Sequence, residues 1–168
     1  MASSADVNDP AAKAALACFD SKDWVCAFNG LSDFLETSER LETCDASERG
    51  CGYEISTLYT SGIGAAENAT LPERRQIAER ALNLLGQVSN GVINTNGEVL
   101  FSALRYDACR AQGDEVCMVE SAALIQLATH AGNTQADFAI PLLADQGISY
   151  PIDLDAVVAE VSQTEKTP

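Results

Sequence analysis

The ten residues ACFDSKDWVC at positions 17–26 recur in altered form as ACRAQGDEVC at positions 108–117. The two stretches align without gaps, and an alanine, both cysteines, an aspartate and a valine coincide. In each stretch the first cysteine falls in the predicted last turn of one helix, and the second falls in the first turn of the next. A tight turn between two helices brings their ends near the distance that a disulfide spans. The repeat therefore predicts two antiparallel helix pairs, each closed by a disulfide across its turn.

The cysteines of the chain fall into three close pairs, namely Cys18 and Cys26, Cys44 and Cys51, and Cys109 and Cys117. No C-x-x-C motif is present, so the redox-active and zinc-ribbon patterns are both missing. Six cysteines can be connected in many ways, and local pairing within each close pair is the simplest. Three local disulfides indicate an oxidising compartment. Buried free thiols in a cytosolic protein are the alternative.

Length and charge exclude several classes of function. The chain has 168 residues, with 25 Asp and Glu against 10 Lys and Arg, which gives a net charge of −15. This length predicts one domain with a buried core. The negative charge repels phosphate backbones and anionic headgroups, so nucleic acids and membrane surfaces are poor partners. No apolar run approaches the length of a membrane-spanning helix, so we expect no membrane insertion.

The hydrophobic pattern predicts an all-α protein. Asp9 and Pro10 predict the start of the first helix, and Thr70 and Glu73 predict a later start with a capping box. The Gly62-Ile63-Gly64 stretch is expected to end the third helix. The predicted helices cover about 10–20, 21–37, 50–61, 70–88, 97–111, 114–130, 133–145 and a last segment capped by Asp153. We expect residues 1–8 to be disordered, residues 9–162 to form a helical-repeat domain, and residues 163–168 to form a disordered tail.

The middle of the chain carries the motif of a known repeat. Ile55, Tyr59, Gly62 and Gly64 fit the pattern Leu-x-x-x-Tyr-x-x-Gly-x-Gly, with isoleucine in the place of leucine. Small residues follow in Ile77-Ala78 and Ala81-Leu82. This segment resembles the Sel-one-like repeat, a relative of the tetratricopeptide repeat. Cys44 and Cys51 resemble the cysteine pairs of its secreted bacterial branch, although their gap is one residue shorter, and the Gly-x-Gly turn is missing after Cys26 and after Cys117.

The resemblance implies a stack of antiparallel two-helix repeats, which is a short α/α solenoid, with Tyr59 packed between the two helices of its pair. It also implies work as a scaffold, adaptor or regulator outside the cytoplasm. We therefore expect a periplasmic or secreted protein whose signal peptide has been removed. For the fold, an irregular helical-repeat arrangement and an unrelated disulfide-linked bundle are the alternatives.

Two tyrosines beside charged residues are candidate binding anchors. In solenoids of this class the first helices of the pairs line the concave surface, and an exposed tyrosine there is a good anchor. Partial burial within the helix pair is the alternative. The candidate binding residues are Tyr53, Glu54, Arg105, Tyr106 and Asp107.

Catalysis and metal binding have few candidate residues. The one histidine, His130, stands at the predicted end of a helix, where it interacts favourably with the helix dipole. Nothing in the sequence supplies a nucleophile or an orienting acid beside it, so we expect no catalytic residue, no metal site and no cofactor. The favoured function is that this chain binds a protein with a basic surface. One example is an immunity or inhibitor protein that binds a toxic periplasmic enzyme. A binder of a small ligand or peptidoglycan fragment in a groove between repeats, and a hydrolase that uses His130, are the alternatives.

Overall fold

The computed structural model describes residues 9–38, 49–87, 94–132 and 153–164. Within these ranges the chain forms helices and no strand, which confirms the all-α prediction there. The helices are α1 (Pro10–Asp20), α2 (Trp24–Thr37), α3 (Arg49–Glu67), α4 (Leu71–Leu85), α5 (Asn94–Gln112), α6 (Glu115–Gly132) and α7 (Leu154–Thr164). The disordered start predicted at 1–8, the helix predicted at 133–145 and the last four residues of the predicted tail lie outside the described ranges.

Each helix packs against the next one along the chain from α1 to α6, and α7 packs against α6. Helix α2 also contacts α4. The core lies between these helices and is built from side chains that are at most 1% exposed, among them Phe28, Leu31, Leu58, Leu84, Phe101 and Leu104. Burying one such side chain stabilises the fold by about 1.5–3 kcal/mol.

Two helix starts follow the capping signals of the sequence. The carboxylate of Asp9 accepts a hydrogen bond from the amide of Ala11 at 2.8 Å, and Pro10 is the first helical residue. At α4 the amide of Thr70 donates to the carboxylate of Glu73 at 2.8 Å. These contacts satisfy amides that the first turn of a helix leaves without partners. Both predicted starts are confirmed.

A Schellman turn joins α1 to α2. The amide of Lys22 donates to the carbonyl of Phe19 at 3.0 Å, and the amide of Asp23 donates to the carbonyl of Cys18 at 2.9 Å. The carboxylate of Asp23 accepts a hydrogen bond from the amide of Cys26 at 3.2 Å. The backbone amide of Asp23 therefore caps the end of α1, and its side chain caps the start of α2. A disulfide joins Cys18 to Cys26 across this turn, with their Cα atoms 5.7 Å apart.

The turn between α5 and α6 repeats this arrangement. The amide of Gly113 donates to the carbonyl of Arg110 at 3.1 Å, and the amide of Asp114 donates to the carbonyl of Cys109 at 2.9 Å. The carboxylate of Asp114 accepts from the amide of Cys117 at 3.1 Å. The disulfide between Cys109 and Cys117 spans a Cα separation of 5.8 Å. The sequence repeat therefore corresponds to a repeated helix pair.

Two of the three predicted disulfides are confirmed, and the free-thiol alternative is wrong for the four cysteines that form them. The third predicted pair is Cys44 with Cys51. Cys44 and the side chain of Cys51 lie outside the described residues, so that disulfide stays a prediction.

The expected end of the third helix at Gly62-Ile63-Gly64 is wrong, because α3 continues through these glycines to Glu67. A Cβ atom on Gly62 would lie 2.8 Å from the ring of Phe101 on α5. A Cβ atom on Gly64 would lie 2.5 Å from the indole of Trp24 on α2. The glycines therefore serve close packing of α3 against α2 and α5, where a side chain would collide with an aromatic ring.

Tyr59 contacts a helix outside its expected pair, and its packing between the two helices of that pair stays a prediction. Its ring meets the ring of Phe101 edge-on, with the ring centroids 6.1 Å apart. Phe101 belongs to α5, the helix that follows the expected pair of α3 and α4. Burial of Tyr59 raises the pKa of its phenol to about 12. The tyrosine of the repeat motif thus links α3 to α5.

The remaining helix bounds differ from the predicted ones by a few residues. α5 begins at Asn94 rather than at 97, and α6 ends at Gly132 rather than near 130. α7 includes Gln163 and Thr164, so the predicted disordered tail is wrong for these two residues.

Candidate functional site

Arg105 and Tyr106, two predicted binding residues on α5, lie in the packed part of the molecule. Tyr106 is only 5% exposed, so it presents little surface to a partner. The guanidinium of Arg105 pairs with Glu79 on α4 at 3.2 Å and with Glu120 on α6 at 3.1 Å. It also donates to the hydroxyl of Ser121 at 3.3 Å. Arg105 therefore joins three helices.

Among the other predicted binding residues, the described side chains of Glu54 and Asp107 are not fully exposed. Asp107 is partly buried, and burial raises the pKa of its carboxyl although Arg110 and Arg74 lower it. Glu54 is buried at 9% exposure. The side chains of Tyr53 and of His130 lie outside the described residues. A binding role for these five candidate residues stays a prediction, and the packing of Arg105 and Tyr106 favours a structural role for both.

Several arginines of α4 and α5 are held by partners inside the protein. The ion pairs are Arg75 with Glu79 and Asp114, Arg80 with Asp33 and Glu36, Arg105 with Glu79 and Glu120, and Arg110 with Glu160. Arg74 donates to the carbonyl of Ala66 at 3.2 Å. These cations are occupied by intramolecular contacts in a chain whose net charge is −15. The surface consequently carries an excess of negative charge.

A groove of about 350 Å³ opens between α2, the C-terminal end of α3 and the first half of α4. Its apolar lining comes from all three helices and the short α3–α4 connection, namely Val25, Phe28, Ala65, Ala69 and Ile77. Its polar lining consists of three amides and two charged side chains, namely Asn29, Asn68, Gln76, Glu73 and Arg80. Val25 is 55% exposed although it is apolar, so the groove offers a hydrophobic contact to solvent.

Charged side chains surround Arg80 at one end of this groove. Its guanidinium donates to Glu36 at 2.8 Å and makes a short contact with Asp33. The hydrogen bond from Arg80 lowers the pKa of the Glu36 carboxyl. Glu73 is exposed at another point of the lining, where its hydrogen bonds to Thr70 lower its pKa. Two carboxylates therefore face the Arg80 guanidinium, and Glu73 adds a third negative charge elsewhere in the lining, which leaves the groove negative.

The repeated stretches contain no clear signal for this groove. Val25 coincides with Val116 in the repeated stretches, and both valines are exposed, at 55% and 69%. Single exposed apolar side chains are common on protein surfaces, so this coincidence does not by itself indicate a binding groove. The amides of the groove come from three separate elements, so their proximity depends on the tertiary fold.

The described fold and groove define an all-α protein with disulfide-closed helix pairs and a mixed apolar and polar surface groove. Within the described residues no helix is both long and apolar enough to cross a bilayer. Comparisons of the chain with protein-family models, with curated proteins and with solved structures find no match.

Proposed function

We propose that this chain is an exported helical-repeat protein, periplasmic or secreted, that binds another protein through its acidic surface. The observation that carries the proposal is the occupation of the arginines of α4 and α5 by intramolecular partners in a chain of net charge −15. A surface with excess negative charge attracts basic partners and accelerates their association.

The helix pairs support the exported location. Disulfides persist in oxidising compartments and are rare in the cytosol. Each of the two disulfides closes a short loop, which the chain-entropy account credits with about 2–3 kcal/mol. Stabilisation of this kind suits a small protein outside the cell, and the packing of successive helices suits the short α/α solenoid implied by the Sel-one-like resemblance.

A specific form of this proposal is an immunity or inhibitor protein for a basic enzyme. Such a protein must associate quickly, and electrostatic attraction raises association rates without new short-range contacts. A binder of a sugar or peptidoglycan fragment is the second candidate. The observation that favours it is the groove of about 350 Å³ with three amide side chains in its lining.

The first part of the test is the compartment. The chain is expressed with an export signal in a bacterial periplasm, and the purified protein is alkylated without reductant before its intact mass is measured. We expect no alkylation, because all six cysteines are then in disulfides. Alkylation at Cys18, Cys26, Cys109 or Cys117 would contradict the exported state.

The second part is partner chemistry. The folded protein is cross-linked in the extracytoplasmic fraction of its source cells, and each captured protein is purified and titrated back at low and at high salt. We expect a basic partner whose association rate falls as salt increases, because screening weakens attraction between exposed charges. An acidic partner, or a rate that does not respond to salt, would contradict the proposal.

A further inference from the structure

We propose that the groove between α2, α3 and α4 binds an extended peptide segment of the partner, with one apolar side chain flanked by lysine or arginine. The inference rests on the proposed function, since it names the surface and the kind of segment that the partner offers. Three properties of the groove support it, namely its apolar floor, the side-chain amides of Asn68 and Gln76, and its negative rim.

The floor of the groove can accept one apolar side chain. Phe28 and Ala65 are buried beneath it, while Val25 remains 55% exposed at its edge. Covering exposed apolar surface on both partners is favourable because it removes that surface from water. The volume of about 350 Å³ lies at the small end of ligand pockets, so it fits one side chain with its adjoining backbone and not a folded domain.

The amides provide partners for a peptide backbone. The side chains of Asn68 and Gln76 line the groove and make no hydrogen bond to another described side chain or carbonyl. An amide side chain can donate and accept at once, as an extended backbone requires at each peptide unit. Asn68 lies in the α3–α4 connection and Gln76 in α4, so the groove presents an amide from each of these two elements to a peptide backbone.

The rim determines the charge of the segment. Asp33 and Glu36 pair with Arg80 at one end of the groove, and Glu73 lines it at another point, so these four groups together carry two more negative than positive charges. Arg80 is already held by two of these carboxylates and is a poor site for an acidic ligand. A lysine or arginine on either side of the apolar residue complements this rim.

The test uses three fluorescein-labelled, N-acetylated pentapeptides of sequence Gly-Lys-Leu-Lys-Gly, Gly-Glu-Leu-Glu-Gly and Gly-Lys-Ser-Lys-Gly. Fluorescence anisotropy measures their affinity for the oxidised protein, with an N-acetylglucosamine oligomer as competitor. We expect the lysine–leucine peptide to bind about tenfold or more tightly than either other peptide, because the groove rejects like charge and rewards an apolar side chain. Equal binding of the acidic peptide, failure of all three peptides to bind, or displacement by the sugar would overturn the proposal.

Two groove variants and one matched control locate the binding. Val25→Lys places a cation at the apolar edge, and Ala69→Phe fills the groove without changing charge. Val116→Lys introduces the same cation at the equivalent, exposed position of the other helix pair. We expect both groove variants to weaken the lysine–leucine peptide about tenfold, while Val116→Lys stays within about twofold. Circular dichroism tests whether each variant folds. Because Val25 is 55% exposed, Val25→Lys should fold and keeps the test valid even if Ala69→Phe does not fold.

The same variants separate this inference from the proposed function. If the basic partner captured above binds Val25→Lys and Val116→Lys equally well, the groove inference fails while the proposed function stands. If the lysine–leucine peptide binds the groove and no basic partner is captured, the groove inference holds and the proposed function fails. Protection of the groove by a second copy of the chain, seen as dimers at the titration concentration, would also overturn the inference.

Discussion

Lys22 and Gly113 occupy the same left-handed position in the two disulfide-closed turns, with φ of 61° and 71°. Glycine reaches such angles without steric cost, whereas a side chain collides there with the backbone. The two turns otherwise share their hydrogen bonds and their aspartate caps. One pair of helices therefore carries backbone strain at a position where the other does not.

We predict that Lys22→Gly stabilises the protein by about 1 kcal/mol and that Gly113→Lys destabilises it by a similar amount. A Cβ atom at Gly113 would meet nothing within 4 Å, so the expected loss comes from the backbone angle alone. Urea unfolding of the oxidised protein measures both changes. A Lys22→Gly protein that is no more stable than the parent would show that the lysine side chain compensates for its angle.

The turns illustrate what can be predicted from this sequence. The helix caps are local, because each capping residue forms its hydrogen bond with a residue two or three positions away, and such signals can be recognised in sequence. The capping residues are Asp9, Asp23, Thr70 and Asp114. The cysteine spacing is informative for the same reason, since it reflects the length of a turn. These local features predicted the helices and two disulfides.

The glycines and the groove depend on contacts between distant parts of the chain. Gly62 and Gly64 look like a stop signal, and only the positions of Phe101 and Trp24 show that they are packing sites within a helix. Tyr106 has charged neighbours in sequence but is buried by other helices. The groove brings Asn29, Asn68 and Gln76 together from separate elements. Periodicity alone contains no information on which helices meet.

Whether Gly64→Ala stabilises or destabilises the protein tests the packing role of these glycines. Alanine inside a helix is favoured over glycine by about 1 kcal/mol, so Gly64→Ala would stabilise α3 if the site were open. Because the new methyl would meet Trp24 at 2.5 Å, we predict a net loss of about 1–3 kcal/mol by overpacking. Thermal unfolding gives the change.

The Trp24→Ala background supplies the control for this prediction. With the indole removed, Gly64→Ala should cost less or become stabilising, since the collision is gone. An equal loss in both backgrounds would mean that Gly64 acts through its backbone and not through its contact with Trp24.

Asp107 should make the free energy of unfolding fall as pH rises, whereas an ion-paired acid makes it rise. Burial raises the pKa of its carboxyl in the folded protein, so the folded state binds a proton more readily than the unfolded state. Stability then falls as pH rises from the ordinary aspartate pKa through the raised value, and the penalty persists at neutral pH. We predict that Asp107→Asn is more stable than the parent at neutral pH and loses this advantage in acid.

Urea unfolding at a series of pH values measures this difference. Asp155→Asn, an exposed change in the first turn of α7, is the control, and it should leave stability unchanged or slightly lower because it removes a favourable charge at a helix start. If Asp107→Asn is less stable than the parent at neutral pH, the attraction of Arg110 and Arg74 outweighs burial, and the predicted direction is wrong.

Among the binding residues predicted from the sequence, Arg105 is the one for which a variant best distinguishes a binding role from a structural role. Its side chain is 15% exposed and pairs with Glu79 and Glu120, whose side chains are 41% and 57% exposed. Because both partners are open to solvent, we predict that Arg105→Ala lowers the free energy of unfolding by only about 1–2 kcal/mol. Arg105→Lys should restore part of this loss, since it keeps the charge without the planar fork.

Glu79 determines how the stability difference between Arg105→Ala and the parent depends on pH. Burial raises the pKa of its carboxyl, but the hydrogen bonds from Arg75 and Arg105 outweigh burial and lower it. The contribution of the pair is therefore present above the ordinary glutamate pKa and is lost as pH falls through the lowered value. Unfolding curves of Arg105→Ala and the parent should converge in that acid range. If Arg105→Ala leaves stability unchanged at neutral pH and weakens binding of the basic partner, Arg105 belongs to the binding surface instead.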